Sequence, residues 1–320
     1  MKKVFSAFAC LFLLNSCDDG DIVVETFDFG SVAVQKCTNN DILLKTSGNQ
    51  LMLLNISPSF FKNEETPLNT PRVYTILNPT DIIYRTYSGS VTSSSICSII
   101  PPSTPSVVDE FNVKPGGTVA ITTTMIPTVD PTSLSTQISY SHLIKFKNTQ
   151  FSNNTSTLSF PDYLFGTYTS ANNTLSFSFP GAVPQNCSDN KIYLKNGGQF
   201  LLVDLPAGSY PSQAGTQTIN LGDTAKVIYR MYSSSVTGSN PDYSAVVACA
   251  GSAPVAPIVL SEEWIASQGS ITIVTTEIFD PTNTTVIGYK HNLTFQNIVY
   301  QKGTQSFTHP QYTFGDYITN

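Results

Sequence analysis

Charge is scarce in this chain: Asp, Glu, Lys and Arg make up 12% of its 320 residues, 16 basic against 22 acidic, for a net charge of −6. So few basic residues exclude the phosphate-tracking stripe of a nucleic-acid binder and a polybasic membrane patch. No apolar run reaches the roughly 20 residues of a membrane-spanning helix. Histidine occurs three times and tryptophan once. There is no C-x-x-C pair and no His/Cys cluster, so no metal is expected. Also missing are G-x-S-x-G, H-E-x-x-H, the P-loop, G-x-G-x-x-G and the EF-hand loop, so no catalytic residue and no cofactor is assigned. A Ser–His–Asp triad is recognised by geometry rather than by motif, and would need His142 or His291 in solvent beside a nucleophile and an acid. Helical periodicity is lacking too. Only Phe60 to Glu65 and Ser261 to Ala266 are expected to form short turns of helix.

What the chain does have begins with a charged start, Lys2 and Lys3, followed by an apolar stretch from Val4 to Leu14, the layout of a secretory signal. That stretch ends in Leu14-Asn15-Ser16-Cys17, which resembles the lipobox of bacterial lipoproteins. The resemblance implies a signal peptide over 1–16, a lipid on Cys17 and hence the membrane as a partner. Residues 17–26 then form an acidic tether, with Asp18-Asp19-Gly20-Asp21 and Glu25. An acidic cluster there is similar to the surface-export signal of Bacteroidota-type lipoproteins, which implies the outer membrane and surface exposure. In other Gram-negative groups, an aspartate behind the cysteine is similar to an inner-membrane retention signal.

Six cysteines fit export. Cys10 leaves with the signal and Cys17 takes the lipid. Cys37, Cys97, Cys187 and Cys249 remain, an even number that suggests two disulfides in an oxidising compartment.

Self-comparison is the most informative reading. Ile82-Ile83-Tyr84-Arg85-Thr86-Tyr87-Ser88-Gly89-Ser90-Val91-Thr92 recurs as Val227-Ile228-Tyr229-Arg230-Met231-Tyr232-Ser233-Ser234-Ser235-Val236-Thr237, with eight of eleven positions identical. Phe27-Asp28-Phe29 pairs with Phe177-Ser178-Phe179, Cys37 with Cys187, Cys97 with Cys249, and Asp130-Pro131-Thr132 with Asp280-Pro281-Thr282. Tyr140, His142 and Phe146 match Tyr289, His291 and Phe295, and Pro161 to Tyr168 matches Pro310 to Tyr317. Collinear matches mean an internal duplication, with repeat 1 over 27–170 and repeat 2 over 171–320. Each copy keeps its own cysteines, so the economical pairing is Cys37–Cys97 and Cys187–Cys249. Runs such as Val119 to Met125 and Ile271 to Thr276 are β-branched, bounded by Gly116-Gly117 or Gln268-Gly269 and by Asp-Pro turns. The fold class expected is all-β: two tandem Greek-key β-sandwich domains, immunoglobulin-like in architecture only, since the Cys…Trp…Cys pattern is missing.

Two pairs of residues invite a binding role. Arg85 and Arg230 are two of only three arginines and recur at one place, each sharing a strand face with Tyr87 or Tyr232. They read either as anion-binding groups or, more simply, as structural arginines paired to a carboxylate or carbonyl. Period-two alternation turns His142 and His291 toward the core, as half-buried structural histidines. Trp264 matches Phe111, which favours core over a sugar platform. Asp223-Thr224-Ala225 resembles the O-glycosylation motif of Bacteroidota exported proteins.

The function expected is that of a lipid-anchored cell-envelope protein, non-enzymatic, binding or adhering to a glycan or protein. Duplication suits this, because two weak sites on one tether gain from effective concentration. The rival is a structural spacer or assembly component of an envelope complex, and a secreted hydrolase comes third.

Overall fold

A computed structural model describes residues 27, 29–188, 190–236, 249, 258–282 and 284–320. The signal segment, the lipobox with Cys17, the acidic tether and Thr237 lie outside the described residues. Among the described residues strand predominates, and helix is confined to single short turns. The strands are β1 (Gln35–Lys36), β2 (Leu43–Ser47), β3 (Gln50–Leu54), β4 (Arg72–Thr75), β5 (Ile82–Tyr87), β6 (Val107–Val113), β7 (Thr118–Val129), β8 (Thr136–Ser152) and β9 (Thr157–Leu175). Then follow β10 (Gln185–Ser188), β11 (Lys191–Asn196), β12 (Gln199–Asp204), β13 (Gly215–Asn220), β14 (Lys226–Tyr232), β15 (Leu260–Phe279), β16 (Val286–Lys302) and β17 (Gln305–Thr319). The all-β class is what the structure shows, in two antiparallel sheets. One runs β1-β2-β3-β5-β6-β8-β7-β4 with β9 on β8; the other runs β10-β11-β12-β14-β15-β16-β17 with β13 on β15.

Matching positions take matching places in the ladders. Arg85 stands opposite Leu51 and Glu110, and Arg230 opposite Phe200 and Glu263. Strand formation follows the period of two. In β7, Val119, Ile121, Thr123 and Met125 are buried while Thr122 and Thr124 face out.

Two expectations for helix fail. Ser261 to Ala266 lies in β15, where Glu262, Trp264 and Ala266 are buried in alternation. A buried acid at 262 hid that alternation, because glutamate ordinarily marks a solvent face. Of Phe60 to Glu65, only Phe60 belongs to a helical turn, the 3-10 turn Pro58–Phe60. The carbonyls of Lys62 and Glu64 accept from the Arg72 guanidinium, at 3.5 and 2.5 Å, instead of from a later turn of helix. A third expectation shifts: Gln268-Gly269 does not bound a strand but lies inside β15. There the ladder to β16 slips on both sides of Gln268. Gly269 sits at φ +109, and a Cβ on it would come within 2.5 Å of the Asn297 carbonyl. The bulge lets β15 change partners, from β14 over 260–266 to β13 over 270–275.

The contacts divide the chain into two compact units. Unit 1 gathers the described residues up to 60 with 73–120 and 144–168, and unit 2 gathers 61–72, 121–143 and 169–320. Strands β7 and β8 contribute to both, as their length allows: at about 3.3 Å per residue a 17-residue strand such as β8 reaches about 56 Å. In unit 1 the core centres on Phe27, within 5.1 Å of the rings of Tyr84, Phe151 and Phe160. In unit 2 it centres on Phe177, Tyr229, Trp264 and Tyr300, and takes in Met125, Ile138 and Tyr140.

Disulfides join Cys37 to Cys97 and Cys187 to Cys249, with Cα–Cα distances of 5.3 and 5.7 Å. Each closes a loop of about sixty residues. Replacing both cysteines of one bridge by serine should cost about 2–4 kcal/mol, read as a lower urea midpoint. An unchanged midpoint would mean that the bridge constrains nothing the strands do not already hold.

Candidate functional site

Arg85 and Tyr87 project from the same face of β5, two residues apart, and their cross-strand neighbours on β6 are Glu110 and Val107. Arg85 donates through Nε to Glu110 Oε2 at 2.5 Å, and Asn112 Nδ2 donates to Glu110 Oε1 at 3.0 Å. Burial works to raise the pKa of the Glu110 carboxyl. The bonds from Arg85 and Asn112 and the arginine charge outweigh it, and hold the group below the usual range. Burial likewise opposes the Arg85 charge, but bonds to Glu110 and to the Tyr87 hydroxyl raise its pKa. The result is an ion pair at a surface opening, its side chains 29% and 35% exposed.

Segment 88–106 folds back over this face. It is pinned by the Cys37–Cys97 bridge, by Ser88 N–H to the Ser106 carbonyl and Val91 N–H to the Gly48 carbonyl, each 2.9 Å. A one-turn helix, Ser93–Ile96, capped by Thr92, is part of it. Between segment and strand lies a cavity of about 330 Å3, lined by Arg85, Tyr87, Val91, Ile96, Pro101 and Pro102 among others. Val91, Ile96, Val107 and three prolines give the wall its apolar part, and Arg85, Tyr87 and three serines its polar groups. The pins mean that little ordering is left to do on binding.

Unit 2 builds the same pair differently. Arg230 Nε donates to Glu263 Oε2 at 2.6 Å, but the Arg230 side chain is only 10% exposed. Tyr232 is 4% exposed and packs with Tyr193, Phe200, Leu202 and Val236. The four residues singled out from sequence therefore separate at the arginines: Arg85 and Tyr87 line a cavity, and although both tyrosines are buried, at 7% and 4%, Arg230 is covered where Arg85 is not. Among the rest, Glu110 and the proline wall went unread. Glu110 was visible beside Phe111 in a match to Glu263-Trp264, and Pro101-Pro102 in its own run.

The histidines belong to unit 2. His142 is fully buried rather than half-buried, with Nδ1 against Thr123 Oγ1 at 2.9 Å and Nε2 against Ser170 Oγ at 3.1 Å. His291 is equally buried between Thr275 Oγ1 and Thr319 Oγ1, both at 2.9 Å. These partners are hydroxyls. Burial, with Arg72 nearby, pushes the His142 pKa down to about 4, which keeps the ring a neutral polar strut. Trp264 is wholly buried, its Nε1 donating to Glu262 Oε2 at 3.2 Å. Thr224 of Asp223-Thr224-Ala225 is exposed, between β13 and β14. Among the described residues, no three His, Cys, Asp or Glu side chains gather as a metal would require. Comparison with protein-family models, with curated proteins and with solved structures finds no match to this chain.

Proposed function

We propose that this chain is a non-enzymatic, lipid-anchored protein of the cell envelope, tethered at Cys17, that binds a glycan or protein outside the cell. Two copies of one ancestral β-domain make it up, and the binding end belongs to unit 1. One observation carries this reading: the preformed cavity at Arg85 and Tyr87, apolar with a few convergent polar groups, the usual make-up of a ligand site. The spacer alternative draws on the burial of the matching Arg230 and Tyr232, which makes that half of the duplication core.

Two measurements test it. Protease added to intact cells should cut the wild-type protein, and a Cys17→Ala variant should leave the membrane fraction. Protection until the outer membrane is broken would sink the surface placement. For the site, the detergent-solubilised full chain is applied to a printed oligosaccharide array and to immobilised extracellular-matrix proteins. Ser103→Trp, at an exposed position in the cavity wall, should lower retention about tenfold or more. Retention indifferent to that substitution, or no retention by the wild type, would overturn the cavity as the site.

A further inference from the structure

A second depression of unit 1, about 740 Å3, runs along β6 and is lined by Val107, Asp109, Glu110, Asn112, Asn153 and Asn154 among others. Its origin is topological. Strand β6 meets β8 only through Asn112↔Ser152 and Val113↔Phe151; from Val107 to Phe111 its ladder partner is β5, and the β8–β9 turn reaches it through the Asn153 side chain. Val107 lines both this trough and the Arg85 cavity. Arg85 lines one and Glu110 the other, so the ion pair stands between them on one face of the ladder.

We infer that this trough is the subsite for a short neutral oligosaccharide, which extends the cavity at Arg85 and Tyr87 into one binding cleft. The inference rests on the binding reading above and names its ligand class.

The polar groups are fixed in advance. Both oxygens of Asp109 accept from Asn153 Nδ2 at 3.1 Å, and Asn153 Oδ1 in turn caps the turn by accepting the N–H groups of Thr155 and Ser156 at 2.9 and 2.7 Å. Asn112 is tied to Glu110 and Glu110 to Arg85. Carboxylate oxygens carry two acceptor sites each and amides offer both senses of bond. The set can therefore take the donors and acceptors of vicinal hydroxyls without reorganising. Anions are disfavoured, because two carboxylates and no Lys or Arg line the trough. Cations gain little at Glu110, which Arg85 already neutralises, and at Asp109 both carboxylate oxygens already accept from Asn153. A peptide strand added to the open edge of β6 is opposed as well: the Glu110 N–H is already spent on Asp109 Oδ1, at 2.8 Å. The exposed Val107 and Val108, with the proline wall beyond, would meet the apolar faces of sugar rings.

Unit 2 supplies the contrast. The residue in the place of Asp109 is Glu262, and Lys302 stands where Asn153 does. Lys302 Nζ lies 2.5 Å from Glu262 Oε2, Asn173 Nδ2 donates to Oε1 at 3.1 Å, and Glu262 is 2% exposed. A lysine closes that place in unit 2, whereas a neutral amide leaves it open in unit 1.

The test uses the detergent-solubilised full chain on an array of neutral, sialylated and sulfated oligosaccharides, then calorimetric titration with the best-retained neutral trisaccharide. Asn153→Lys, which imports the arrangement of unit 2, should weaken that trisaccharide about tenfold or more. Asn112→Ala serves as a second variant, because Asn153 also caps a turn; it should weaken binding with the thermal midpoint unchanged. Retention of only sialylated or sulfated glycans, or of none, would overturn the inference. So would neutral binding that neither variant changes. Binding lost in Ser103→Trp but kept in both trough variants would leave the binding reading standing and the trough subsite refuted.

Discussion

Acidification from pH 7 to pH 4.5 should unfold unit 2 before unit 1. All three histidines of the chain lie in unit 2, at 0%, 0% and 2% exposure for His142, His291 and His309. Burial pushes His142 and His309 down to about 4, and His291 down as well. An unfolded histidine titrates near its ordinary value of about 6.5, so between that pH and 4 the unfolded chain binds more protons. Stability is therefore fully present above pH 6.5 and is lost as the pH falls toward 4. For His142 and His309 the loss approaches about 3 kcal/mol apiece, against a total stability of about 5–15 kcal/mol for a typical protein. Unit 1 holds no histidine. There, burial works to raise the Asp81 pKa, but bonds from Asn78, Tyr74 and Leu77 outweigh it and hold the group below its ordinary value. The loss from Asp81, and from Glu110, also held below its ordinary value, begins at about pH 5 and falls mostly below about pH 4.5.

Trp264, the sole tryptophan and fully buried in unit 2, reports the event through its emission. Its urea midpoint should fall steeply between pH 6.5 and 4.5. His309→Phe should flatten that slope, since Phe160 fills the matching place in unit 1, although it forfeits the bond to Thr136 Oγ1 at 3.2 Å. A midpoint constant from pH 7 to 4.5 would refute the argument.

The fold class was legible because the strands announce themselves by period two and by β-branched residues, and because the same landmarks occur twice. The disulfide pairing followed from that repetition. Legibility ended where a buried charge breaks the alternation, as at Glu262, whose partner Lys302 is 40 residues away. It ended again at the site. Arg85 and Arg230 look alike along the chain, and nothing local says that one pair stays at a surface opening while the other is sealed. That difference lies in how far each arginine is packed over: Arg85 lines a cavity under segment 88–106, whereas the Arg230 side chain is only 10% exposed. No reading of Arg85 alone contains it.

The second large effect should come from Phe177. Its match to Phe27 was visible in the sequence, but the position carried no role there. In the fold its ring is 3% exposed, with centroids 4.1 Å from Tyr229, 4.3 Å from His309, 5.1 Å from Tyr300 and 5.9 Å from Phe307. The backbone holds it at φ +46, a region that L residues seldom occupy. Packing on four sides is what makes that conformation worth keeping. Phe177→Ala removes the ring and leaves a hole among aromatic side chains that cannot readily collapse, at a cost of about 3–5 kcal/mol. With a urea slope of about 2 kcal/mol/M, the Trp264 midpoint should drop by about 2 M. Phe177→Gly loses the same ring but relieves the backbone, so it should be about 1 kcal/mol less damaging than alanine. That order runs against the usual one, in which glycine in a strand or helix is the worse choice. Glycine proving worse than alanine would show that the left-handed backbone is not what the aromatic packing holds in place. Phe27→Ala is the control in unit 1: it should lower the melting of that unit while the Trp264 midpoint stays near the wild-type value. An equal fall of the Trp264 midpoint in both variants would mean that the two units unfold as one.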